Sequence, residues 1–133
     1  MAPTNTDRIL LPEKDELIWL FFRFNGRLGR AAFVLTAMFW VVVVSFPLYQ
    51  FMRVSPDSTA AQAWSAVFGM TFIVFLWVHV ASAVKRLHDM GKPGIMAVAL
   101  FVPVVSIVAF IALCLFPGDA GRNRYGQFTN SAR

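Results

Sequence analysis

Residues 31–52 read AAFVLTAMFWVVVVSFPLYQFM, twenty-two positions with no ionisable side chain except Tyr49. At about 1.5 Å per residue, a helix of that length is about 33 Å long, enough for a hydrocarbon core of about 30 Å. The β-branched run Val41–Val44 would favour a strand in water. In lipid every backbone amide must find its partner inside the structure, and one uninterrupted apolar run achieves that as a helix. Two similar runs follow. Residues 60–84 carry no charge unless His79 is protonated, and residues 94–116 carry none, with Pro103 inside. Polar connectors separate them: 53–59 with Pro56 and Asp57, then KRLHDMGKP over 85–93. The expected fold class is an all-α membrane protein, with about three transmembrane helices at 31–52, 60–84 and 94–116.

Composition agrees. Apolar residues make up 58% of the 133 and charged residues only 14%, against about 45–50% and 25% in soluble domains. The net charge of +5 lies outside the apolar runs, which argues for membrane topology and against a nucleic-acid partner. The single cysteine, Cys114, sits inside an apolar run with no Cys or His at ligand spacing, so it reads as a small packing residue. Ala61-Gln62-Ala63 has the form of a signal-peptidase site, but the leader before it and its apolar run are too long for a signal peptide.

Ahead of the first span, residues 1–11 lack periodicity and read as a flexible N-terminus. Residues 12–30 read as a short amphipathic interfacial helix and basic turn. Glu13, Asp15 and Glu16 favour a helix start, and Leu17, Ile18, Leu20, Phe21 and Phe22 supply apolar surface. The tail, 117–133, is polar. With three spans, the N-terminal segment and the 85–93 connector share one side with eight Lys/Arg, against four on the other side. That excess places the N-terminus in the cytoplasm and the tail in the periplasm. A third segment re-entrant at Pro103 would instead return the tail.

Three polar clusters carry the candidate chemistry. In the first, Arg23, Arg27 and Arg30 would share a helical face near anionic headgroups, joined by Lys85 and Arg86 as lipid or partner contacts. In the second, Arg86 and Asp89 stand three apart and can pair across a last helical turn, with His88 completing a polar clamp. A histidine such as His88 is suited to acid or base work near neutrality, but no nucleophile or second carboxylate accompanies it in sequence. In the third, Gly121, Asn123, Arg124, Tyr125 and Gly126 form a tail motif suited to a folded lid. His79 lies near one end of its span and reads as neutral and hydrogen-bonded. Ala61, Ser65 and Gly69 make a small-residue stripe on which a helix can pack, within the chain or between copies. The residues assign no catalytic group, metal or cofactor.

Gly26-Arg27-Leu28-Gly29-Arg30 before the first span, Arg86-Leu87-His88-Asp89 after the second and Gly121-Arg122-Asn123-Arg124-Tyr125-Gly126 after the third resemble one family. It is the small bacterial inner-membrane YhaH-type family, catalogued as a domain of unknown function (number 805). The resemblance runs from about Leu20 to Gly126. This chain departs from it in having Ile95-Met96 where an aromatic pair is common and Ala31-Ala32-Phe33 where an acidic-aromatic stretch is common. The resemblance implies a bacterial inner-membrane location and brings no activity with it. Three functions remain open: a non-enzymatic scaffold or accessory subunit in a larger complex or homo-oligomer, with anionic-lipid contacts; an oligomeric transporter or channel component; and a membrane enzyme acting on lipid or envelope precursors.

Overall fold

The structure, a computed structural model, describes residues 14–132. The flexible segment expected over 1–11, together with Pro12 and Glu13, lies outside the described residues. Four α-helices are present: α1 (Lys14–Phe22), α2 (Arg30–Arg53), α3 (Thr59–Asp89) and α4 (Val105–Leu115). A 3-10 helix, Gly94–Phe101, lies between α3 and α4. No strand occurs among the described residues, where pairing of that kind is limited to isolated bridges of Arg27 with Ser131 and Asn123 with Gly126.

α2 and α3 pack as an antiparallel hairpin. Ser58 closes the turn as the N-cap of α3, its hydroxyl accepting from Ala61 N at 3.1 Å. Both helices are long and apolar enough to cross a membrane, and only 17% and 22% of their most apolar windows are buried. A core helix of a soluble protein would bury most of that surface. Here Leu35, Met38, Val42, Met70 and Ile73 face outward, which suits acyl chains. At about 1.5 Å per residue α3 is about 46 Å long, which exceeds a hydrocarbon core of about 30 Å.

The third span expected over 94–116 is not one helix. Pro103 has no N–H to continue the ladder, and Val104 takes φ 69°, ψ −53°. Val105 N donates to Pro103 O at 2.8 Å, so Pro103–Val105 forms a γ-turn, a strained conformation for a β-branched residue. The 3-10 helix and α4 pack beside each other and against α3. Eight residues at about 2 Å and eleven at about 1.5 Å give two legs of about 16 Å each, about half the hydrocarbon thickness. The segment therefore leaves the end of α3 and returns to it. This corrects the tail placement expected from three spans: residues 117–132 lie at the same end as the N-terminal basic turn.

α1 packs onto the hairpin at its C-terminal end. Phe21 meets the Trp40 ring at 5.6 Å, and Trp77 Nε1 donates to Phe22 O at 3.3 Å. Its C-terminal end therefore leans down along α2 and α3. The small-residue stripe does not seat a helix within the chain: Ala61 is buried, Ser65 is exposed, and a Cβ on Gly69 would meet nothing within 4 Å.

Candidate functional site

α1 and α4 share a defect. Each ends without a basic residue in its last turn, which leaves C-terminal carbonyls unanswered. The end of α3 supplies what they lack. Lys85 Nζ donates to Trp19 O and Leu20 O, both at 2.6 Å, and lies over the Trp19 ring at 4.8 Å. Arg86 Nε donates to Leu113 O at 2.8 Å and its Nη2 to Phe116 O. Arg30 Nη1 reaches Leu115 O at 3.5 Å. Cations at helix C-termini also oppose the negative end of the dipole.

Arg27 holds the centre. Residues 23–29 are not helical, so Arg23, Arg27 and Arg30 do not share a helix face as expected. Gly26 at φ 91° turns the chain, Leu28 N bonds Lys85 O at 3.0 Å, and Arg27 points inward. Its guanidinium has five N–H groups and reaches five acceptors. Nε donates to Asp89 Oδ1 at 3.1 Å, Nη1 to Gly121 O and Gly126 O at 2.6 and 3.3 Å, and Nη2 to Asp119 O and Thr129 Oγ1 at 2.6 and 3.3 Å. Asp89 receives Arg86 Nη1 on Oδ2 at 2.7 Å and the Thr129 hydroxyl on Oδ1 at 2.7 Å. One carboxylate thus answers two guanidiniums, and backbone carbonyls take the remaining positive charge. Arg27, Lys85, Arg86 and Asp89 are only 0–2% exposed.

The tail in turn caps α3. Asp119 N donates to Asp89 O at 2.7 Å and Asn123 Nδ2 to His88 O at 2.8 Å. The Asn123 side chain also accepts from Tyr125 N at 2.9 Å, which presents the Tyr125 ring to His88. The two rings stack 4.0 Å apart, 6° from parallel, and His88 Nδ1 lies 3.2 Å from Gly26 O. Arg124 covers the outer side of Tyr125 at 4.7 Å. Gly118 fits against Asp89 so closely that an added Cβ would collide with its carboxylate.

The three clusters therefore form one cap on the hairpin. Arg86, His88 and Asp89 join Asn123, Tyr125, Gly121 and Gly126 around Arg27. Of the five residues read as lipid contacts, Arg27, Lys85 and Arg86 are buried and bound to the chain's own acceptors, while Arg23 and Arg30 stay exposed. Arg23 borders a groove of about 560 Å³ with Asp15, Glu16, Trp19 and Asn130. His79 stands apart from the cap, stacked on Phe75 and Phe110. Cys114 packs against the core cluster. The sequence offered no signal for Thr129, whose hydroxyl bridges Arg27 and Asp89, or for the carbonyls of Trp19 and Leu20. Among the described residues, no group of three His, Cys, Asp or Glu is placed to hold a metal.

Lys85 allows a local test. Lys85→Met keeps the stem but takes the ammonium from Leu20 O and leaves Trp19 O with the long bond from Arg23 N at 3.4 Å, at about 1–3 kcal/mol for a buried polar group. Limited proteolysis in mild detergent is expected to cut between residues 22 and 30 faster in the variant, with α2 and α3 still protected. Equal cleavage rates would show that α1 is held by its apolar contacts alone.

"Uncharacterized protein YiiR" of Escherichia coli (strain K12) is 29% identical over 142 residues, covering 86% of this chain and 90% of that protein. "Inner membrane protein YhaI" of the same strain is 36% identical over 47 residues, 35% of this chain and 40% of that protein. No solved structure matches. A family described as "Protein of unknown function (DUF805)" matches residues 21–127, an interval that holds all three motifs of the cap. The chain belongs to the DUF805 family.

Proposed function

We propose that this chain is a non-enzymatic integral protein of the bacterial inner membrane, a scaffold or accessory subunit. In this reading its polar cap faces the cytoplasm and the rim of the cap rests on anionic headgroups. The observation that carries it is a division of labour among the cations. The buried ones are consumed inside the protein as caps and clamps, which is structural work. The exposed ones, Lys14, Arg23, Arg30, Lys92, Arg122 and Arg124, belong to the same end. Among the described residues nine Lys/Arg belong to that end, and Arg53 alone belongs to the other. The positive-inside bias then favours a cytoplasmic cap more strongly than three full spans would. The likeness to an inner membrane protein, YhaI, supports that location.

Two measurements test it. A C-terminal fusion to green fluorescent protein is expected to fluoresce, and one to alkaline phosphatase to stay inactive; an active phosphatase would reverse the orientation. Replacing Arg23, Lys92 and Arg122 by Gln removes about 1 kcal/mol of headgroup attraction for each charge. The affinity of the detergent-solubilised protein for added phosphatidylglycerol over phosphatidylcholine is expected to weaken about 100-fold or more, with thermal stability unchanged. Unaltered binding would remove the lipid part of the proposal.

A membrane enzyme is the second reading, favoured by the convergence of His88, Asp89 and Tyr125 in one cap. Against it, Asp89 already accepts from two guanidiniums and a hydroxyl, which leaves it poorly placed to act as a base. Lipid or envelope-precursor turnover that disappears in His88→Gln while the fold persists would favour the enzyme over the scaffold.

A further inference from the structure

Two of the four tryptophan indoles donate to carbonyls. Trp19 Nε1 donates to Asn25 O at 2.7 Å and Trp77 Nε1 to Phe22 O. Hydroxyls within the helices behave in the same way: Ser45 donates to Val41 O and Thr71 to Val67 O, both at 2.7 Å. Two groups break the pattern. Trp40 Nε1 on α2 and Ser82 Oγ on α3 are buried with no hydrogen-bond partner, and Ser82 as a whole is only 2% exposed.

Both side chains line the same void. It measures about 10 Å³, and its other polar walls are Thr36 on α2 and His79 on α3, with Phe33 and Val78 closing it. That volume is about one water probe, and a buried water needs two to four polar partners. Ser82 lies seven residues before Asp89, about 10 Å below the cap along the helix. In an apolar medium at that depth a donor without a partner is strongly disfavoured, so these groups call for a polar partner between the two helices.

We propose that one structural water occupies this void, accepting from Trp40 Nε1–H, bonding Ser82 Oγ, and turning its remaining hydrogen to the His79 ring or the Thr36 hydroxyl. The site joins α2 to α3 at one register, below the ion pairs of the cap. It also supplies His79, whose ring is otherwise stacked among Phe33, Phe75 and Phe110, with a polar neighbour inside the span. This reading is independent of the lipid and scaffold proposal.

The test uses the full chain in detergent micelles with ¹⁵N-labelled tryptophan, the Trp40 indole being assigned through Trp40→Phe. Nuclear Overhauser spectroscopy is expected to show a cross peak between that indole proton and a long-lived water. The peak is expected to persist in Ser82→Ala, where the void is larger and Trp40 still donates. It is expected to vanish in Ser82→Val, whose side chain fills the space. No peak in the unmodified protein would mean a dry void. A peak lost in Ser82→Ala would mean exchange through the serine hydroxyl alone. Either result overturns the proposal, and the first needs no variant to fold.

Discussion

Asp89→Ala is expected to abolish the folded cap. The carboxylate is the anion for two guanidiniums that are almost wholly buried, Arg27 and Arg86. Breaking a buried pair by removing one partner costs about 3–5 kcal/mol, because the surviving charge is stranded. Here two charges are stranded, and Thr129 loses its acceptor as well. Against a total stability of about 5–15 kcal/mol, that loss approaches the whole. The measurement is thermal unfolding in mild detergent, with the amount of protein retained in cell membranes as a second readout. Asp89→Glu offers no rescue, since Gly118 already lies against the carboxylate. Nor does an apolar exchange of the triad: Arg27→Met would leave the carbonyls of Asp119 and Gly121 without this donor, and Gly126 O with Asn123 N alone. A melting temperature within a few degrees of the parent would refute the central place given to Asp89.

Gly26→Ala is the second large effect. Gly26 adopts φ 91° and is buried, a conformation that costs an L-residue about 1–2 kcal/mol. The added methyl would also run into Ser131 O and come within 2.8 Å of Ala132 Cα, both backbone atoms, and 3.0 Å from Trp19 Nε1. Backbone cannot swing aside as a side-chain tip can, so the tail must leave. The bridge from Arg27 N to Ser131 O at 3.0 Å and the Gly29 N bond to the Asn130 side chain at 2.7 Å would go with it. Amide hydrogen exchange is expected to speed up across 117–132 while the middle of α2 and α3 stays protected. Unchanged protection in the tail would show that the turn has room the geometry denies.

Much of the fold was legible along the chain. The α2–α3 hairpin follows from two uncharged runs of spanning length around a Pro-Asp turn, and the structure returns it within a few residues. Residues 94–116 misled because the same composition suits a full crossing or a re-entrant pair of legs. Pro103 marked the break but not its angle. What bends the segment back is remote: Arg86 and Arg30 hold the carbonyls at the far end of α4. The cap was legible as three motifs but not as one object. An arginine just before a span ordinarily means topology, and nothing local to Arg27 announces acceptors 92 to 102 positions away.

Periodicity and charge, which are properties of neighbours in sequence, determined by themselves that this protein is helical, built for lipid, and basic at the ends of its apolar runs. The tertiary structure alone decided which cations are spent inside and which remain on the surface, and that the tail comes back to the basic turn. The physical reason is that burial of a charge depends on the acceptors gathered around it, and here those acceptors are backbone carbonyls and side chains drawn from both ends of the chain.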